Sequence, residues 1–190
     1  QTTSFITILG SAGVAIGLSL QGSLSNFAGG ILILILKPFV VGDYVSVCGC
    51  EGTVAVISLF YTTLHTVDNR NVVLPNGSLS NSNITNYSAN EIRRVDMSVD
   101  VGYGSDLKKA REVIMDILNQ DERILKDPAP IVAVDNLGDS GVNVLIRPWV
   151  KCEDYWAVKW SVLEAVHNRL NAEQIDIPFP QMTVHLDQNS

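Results

Sequence analysis

Three cysteines and three histidines are the side chains of this 190-residue sequence most apt to carry chemistry, and their spacing points away from it. Cys48 and Cys50 flank a single glycine, while Cys152 stands far off in the chain. With no CxxC pair and no companion histidine the four-ligand pattern of a zinc site is missing, so three reduced thiols in a cytosolic domain are expected and no metal. His65 falls on an expected strand, His167 on an expected helix and His185 near an expected terminal strand. None has a Ser, Cys or carboxylate partner at a spacing that would set a base beside a nucleophile. Gly102-Tyr103-Gly104 resembles the opening of a phosphate loop, but no third glycine and no P-loop lysine follow, and a strand-to-helix turn is the simpler reading. Asp139 and Asp154 read as turn and helix-start carboxylates. No catalysis, metal or cofactor is expected, and a net charge of −7 argues against a nucleic-acid partner, which demands clustered Lys and Arg.

The elements that would hold these groups divide the chain between two solvents. Residues 1–36 carry no charged side chain, and all 33 charged residues lie in the remaining 154. The first segment therefore belongs in a bilayer, and its many Gly, Ala and Ser residues let helix backbones approach closely there. Lys37, the first charge, suits the cytosolic edge. A straight helix over this stretch would be roughly 54 Å long, against a hydrocarbon core of about 30 Å. A break is predicted at Gln21-Gly22, a polar side chain followed by a poor helix former, with Ser23 to Leu36 turning along the membrane surface.

At about 100° per residue, Gly10, Gly13 and Gly17 fall on one flank of the first half and Thr7, Ser11 and Ala15 on another. Between them runs a narrow stripe with Val14 and Leu18, while Leu9, Ile16 and Leu20 cover the back. In a ring of close-packed copies the glycines of one helix would receive Thr7, Ser11 and Ala15 of the next. Val14 and Leu18 would then form two hydrophobic rings able to close a pore by dewetting. The wheel alone would equally suit a tightly packed helix of any polytopic membrane protein, with Val14 and Leu18 merely buried.

The run GVAIGLSLQGSLSNFAGGILILILKPF over 13–39, with KPFxxGDYV, EGTV, VxLPNG, ERILKDP and IPFPQM further on, resembles the small-conductance mechanosensitive channel (MscS) family from Gln1 to about Asp187. The resemblance implies a tension-opened ion channel that releases ions and small osmolytes on hypo-osmotic shock, with Val14 and Leu18 as its gate. It also implies a homoheptamer, each subunit meeting six further copies and the lipid bilayer, in the bacterial inner membrane with a large cytoplasmic domain. Upstream membrane helices, which the family has, are expected before Gln1. Asn26 would reach the loop at Pro75-Asn76-Gly77, coupling the pore helix to the following domain through Asn76 and Gly77. Thr7 and Ser11 depart from the family's alanine-lined flank, which leaves the tightness of ring packing open. The alternative is a membrane-anchored, ring-forming scaffold that does not conduct.

Beyond the pore helix of 1–36 the chain reads as a β domain over 37–89 and an α/β domain over 90–179, with 180–190 a terminal strand and tail. Five short runs of Val, Ile, Leu, Thr and Tyr, separated by Gly42-Asp43, Cys48-Gly49, Glu51-Gly52, Asp68-Asn69 and Asn76-Gly77, fit a small Sm-like β domain. From Ile92 the order becomes strand, helix, strand, strand, helix, strand, the split βαβ pattern of an α+β ferredoxin-like domain. Ser105-Asp106 should cap its first helix. Crowded apolar positions from Trp156 to Leu170 suggest a second helix buried on more than one side. By resemblance, the segment near 181–186 joins its symmetry mates in an inter-subunit β-barrel.

Overall fold

A computed structural model describes residues 2–184 and divides them into two units, one up to Ala89 and one from Asn90. Gln1 and residues 185–190, and with them His185 and the end of the expected terminal strand, lie outside the described residues.

The first unit opens with helix α1, Thr2–Leu36, which is helical without interruption through Gln21 and Gly22. The predicted break is therefore corrected: neither residue removes a backbone donor. Glycine costs about 1 kcal/mol relative to alanine, too little to stop a cooperative helix already many turns long. The helix stops where the chain can no longer follow it, at Lys37, whose φ of 47° is left-handed, followed by Pro38.

Strands β1 (Tyr44–Val47), β2 (Cys50–Ile57), β3 (Tyr61–His65) and β4 (Asn71–Pro75) follow. The short helix α2 (Asn76–Ser80) then leads into β5 (Ile84–Asn86). All neighbours pair antiparallel in the order β4-β3-β2-β1-β5. The sequence expected five strands and five form, but not at the boundaries it set: Glu51-Gly52 lies within β2, and the turn between β2 and β3 falls at 58–60. Their inward residues Val45, Val47, Val54 and Leu64 form one core with Phe39, Leu79 of α2, and Ile33 of α1, which is only 2% exposed. The last turns of α1 thus belong to the β unit rather than standing apart from it.

That attachment uses one face of α1. Asn26, Gly29, Gly30 and Ile33 recur at i, i+3, i+4 and i+7 and turn inward, while Leu24, Ile31 and Ile35 point away. Gly29 and Gly30 permit the approach. A Cβ on Gly29 would lie 2.5 Å from the Asn76 carbonyl oxygen, and one on Gly30 would lie 2.2 Å from that of Leu59. By contrast, Gly10, Gly13, Gly17 and Gly22 have open space where a Cβ would stand.

The second unit contains β6 (Ile92–Arg94), β7 (Met97–Val101), α3 (Leu107–Gln120), β8 (Ile131–Leu137), β9 (Val142–Arg147), β10 (Trp149–Lys151) and α4 (Tyr155–Ala172). One sheet runs β7-β9-β8, and β6 pairs with β10 in a separate ribbon that sequence periodicity does not reveal. Strands of three residues are too short to show an alternation. Asp106 caps α3 by accepting hydrogen bonds from the amides of Lys108 and Lys109. Ala110, Val113, Ile114, Ile117 and Leu118 of α3 pack with Val144 and Ile146 of β9 and with Val158, Val162, Val166 and Leu170 of α4. Spacing of four along α4 gives it one buried face. Contrary to the sequence expectation of a helix enclosed on several sides, Trp156 and Trp160 are exposed in the single chain. Residues 181–184 form no strand within the chain. A strand needs a partner edge, and none within the described residues pairs with this segment.

Two substitutions separate propensity from packing along α1. Gly30→Ala should drive a methyl group against the Leu59 carbonyl and lower stability by about 1–3 kcal/mol, the usual cost of overpacking. Gly22→Ala meets open space and should stabilise the helix by about 1 kcal/mol. Thermal unfolding of the purified protein should move in opposite directions for the two variants, and equal shifts would remove the packing argument.

Candidate functional site

Helix α1 meets the first residues of α2 at Asn26. Pro75, with its fixed φ, ends β4 and sets the chain into α2, and the amide of Gly77 donates to the Asn26 Oδ1 at 3.0 Å. Gly77 has to be small here: a Cβ would fall 2.8 Å from Ser25 Oγ and 2.9 Å from Asn26 Oδ1. Asn76 beside it is fully buried, and all of its side chain's polar atoms are used. Its Oδ1 accepts from the Thr62 hydroxyl at 2.8 Å, its Nδ2 donates to the Ser58 carbonyl at 2.8 Å, and its backbone amide donates to the Phe60 carbonyl at 2.9 Å. Phe27 of α1 packs against Phe60, ring centroids 6.1 Å apart. The 58–60 turn and α2 therefore grip α1 from adjacent sides, and α2 is itself fastened to the sheet through Asn76.

The sequence singled out Asn26, Asn76 and Gly77, and the structure brings the three together. It did not single out Thr62, Ser58 or the turn at Leu59 and Phe60. The signal for Thr62 was present: it shares the inward register of β3 with Leu64, and an inward polar residue must find a partner. Asn26, Asn76, Thr62 and Ser58 are all uncharged at neutral pH, so the grip does not titrate.

The remaining residues singled out on α1 lie on its first five turns, away from this contact. Val14 is 64% exposed and Leu18 67% exposed in the single chain, and Thr7, Gly10, Gly13, Ala15 and Gly17 are exposed beside them. The Ser11 hydroxyl donates back to the Ile8 carbonyl at 2.9 Å, as does Ser19 to Ala15 at 2.8 Å, which removes two polar groups from the helix surface. Over Ile6–Leu36 the helix is long and apolar enough to cross a membrane.

The groups weighed for chemistry are dispersed. His65 and His167 lie exposed on separate units, and Gly102-Tyr103-Gly104 forms the turn from β7 to α3. A concavity of about 550 Å³ between α3 and α4 of the second unit is lined by residues that include Gln120, Asp121, Arg123, Ser161 and Arg169. Both of its arginines are paired. Arg123 binds Asp121 at 2.6 Å and donates to the Ser161 hydroxyl at 2.8 Å, and Arg169 binds Asp116 at 3.2 Å. The Arg123 hydrogen bonds hold the Asp121 carboxyl below the ordinary carboxylate range against the opposing effect of burial, which suits an ion pair rather than a general base. No group of three potential metal ligands exists among the described residues.

Comparison with known proteins agrees with this geometry. Residues 22–89 match the family model described as the β-domain of mechanosensitive ion channels, and residues 95–177 match that of the MscS C-terminal domain. An uncharacterized MscS family protein of Synechocystis is 44% identical over 99% of this chain and 64% of its own length. The small-conductance mechanosensitive channel of Edwardsiella ictaluri is 44% identical over 94% of this chain and 62% of its own. The chain thus spans a little under two-thirds of these two relatives. The crystal structure of Helicobacter pylori MscS in a closed state superposes with a TM-score of 0.93 at 39% identity, covering 100% of this chain and 75% of that one. An α1 without charge, a small-residue face gripped by a β unit, and two consecutive domain matches lead to one conclusion: this chain belongs to the MscS family of mechanosensitive channels.

Proposed function

We propose that the chain is the pore-lining helix and cytoplasmic part of an ion channel subunit that opens under membrane tension and releases ions and small osmolytes during hypo-osmotic shock. The observation that carries this reading is the uncharged helix α1, whose outward stripe of Val14 and Leu18 is bracketed by small residues with open space beside them. In a homoheptamer, Gly10, Gly13 and Gly17 of one copy receive Thr7, Ser11 and Ala15 of the next, and Val14 and Leu18 face the axis as the gate. Lateral tension favours the conformation of larger membrane footprint, so tilting and separating the helices widens both rings until water enters.

The grip of Gly77 on Asn26, with Asn76 fastening α2 to the sheet, transmits the movement between pore and β unit. The β unit takes the role of an Sm-like ring domain. The strand order β7-β9-β8 with its two helices supports a ferredoxin-like second domain, whose fourth strand, near 181–186, closes a barrel between copies. Location in a bacterial inner membrane, with further membrane helices preceding this segment, completes the proposal.

Leu18→Ser should replace a ring that expels water with one that holds it. Patch recordings of the full-length channel should show opening at lower tension, whereas an unchanged threshold and conductance would take Leu18 off the axis. A protein that forms rings but passes no tension-activated current would favour the non-conducting scaffold.

Gly17→Leu should obstruct helix packing and impair gating or assembly, while Ile16→Leu, on the back of the helix, should be mild. Replacing Asn26 with Leu removes the acceptor of the Gly77 amide and should alter current decay under sustained tension without changing single-channel conductance. Unaltered decay would sever that contact from the pore.

A further inference from the structure

The tip of the β1–β2 hairpin holds Cys48 and Cys50 around Gly49, and no role in the channel reading uses them. Val47 pairs with Cys50, so Cys48 and Gly49 are the two central residues of the connection. Their φ values of 51° and 73° are both positive, the signature of a type I′ turn, which fixes the backbone between the two sulfurs. A span of two residues reaches roughly 7 Å at most, and a turn shortens it into the range over which two cysteine side chains can be bridged.

The two thiols are also reachable. Cys48 is exposed and Cys50 half-exposed, with neither in a disulfide. Cys48 Sγ lies 3.4 Å from Ser82 Oγ. That hydroxyl donates to the Ser78 carbonyl at 2.7 Å, which leaves its lone pairs to accept from the Cys48 S–H. An S–H···O hydrogen bond is weak, so rotation about one side-chain bond frees Cys48 to turn toward Cys50. The Cys50 position shares a face with the buried Val47, which keeps its sulfur on a settled strand while its neighbour moves. One sulfur is thus fixed and the other swings, the arrangement of a bidentate clamp.

From this geometry we infer that Cys48 and Cys50 form a dithiol site for soft, thiophilic species, of which trivalent arsenic is the representative chemistry. Sulfur ligands select soft acceptors over hard cations, and two sulfurs on one turn satisfy a centre that keeps a third substituent. The binding step with phenylarsine oxide balances without an oxidant. Both S–H protons leave with the arsenic-bound oxygen as one water, two As–S bonds replace the As–O bond, and arsenic stays trivalent. Cys152 belongs to the other unit, its thiol pushed up by burial and donating to the Asn90 carbonyl at 2.9 Å.

The test is intact-mass measurement on the full-length channel, purified in detergent as its native oligomer, after phenylarsine oxide and then an excess of 2-mercaptoethanol. The wild type should keep one phenylarsenic bridge per subunit more than the Cys48→Ser/Cys50→Ser variant, and lose it to 2,3-dimercaptopropanol. Cys48→Ser and Cys50→Ser should each remove that adduct completely, since a single As–S bond exchanges with the monothiol, and Cys152→Ser should retain it. Size-exclusion profiles matching the wild type show that loss is not misfolding, and Cys48→Ala offers a second variant should the serine change disturb the turn. An adduct that survives either single substitution, or a wild type that carries no more than the double variant, would overturn the assignment.

Discussion

A hydrogen bond of 3.0 Å from the Gly77 amide to the Asn26 side chain ties the long helix to the β unit where their backbones come close. Much else follows from how little room that contact leaves. Gly29, Gly30 and Gly77 must each lack a side chain, because a Cβ at any of them would stand under 3 Å from a neighbouring atom. Once the backbones are that close, buried amides and carbonyls need partners, and unpaired ones would cost about 1–3 kcal/mol each. Asn76 supplies them by spending its whole side chain on Thr62 and Ser58.

The grip is built from neutral groups. Charged partners at the same distances would respond to pH and salt, whereas amides and hydroxyls keep their hydrogen bonds across the physiological range. Ionic interactions lie away from the grip: Asp68 pairs with Arg70 at the β3–β4 turn, and in the second unit Asp121 with Arg123 and Asp96 with Arg94 and Arg147 tie loops and strand ends. A movement of α1 that trades apolar contacts for lipid contacts is therefore resisted at its base by directional, short-range bonds, which either hold or let go.

Exposure follows the same division. The inward face of α1 from Asn26 to Ile33 is covered by its own chain, while Val14, Leu18 and the small residues beside them face outward. In water such a helix would be an aggregation hazard; in lipid, close packing of small residues is what associates helices. On α4 the regular spacing of Val158, Val162, Val166 and Leu170 is spent on the core, and Trp156 and Trp160 stack 5.8 Å apart outside it.

Sequence alone determined the two solvents, the β character of the first unit, the cap at Asp106 and the inward helix positions of α3. Each of these is written in local charge, turn residues or periodicity, which act over a few residues. It also brought Asn26, Asn76 and Gly77 under suspicion. Tertiary structure decided the rest. Helix α1 runs on through Gly22 because the cost of one glycine is set against a whole cooperative helix, a balance that no local pattern displays. The ribbon of β6 and β10 joins segments more than fifty residues apart, too short to signal themselves. Thr62 and Ser58 became part of the site because a buried asparagine needs partners on every polar atom, and which residues could reach it was fixed only when the strands had paired.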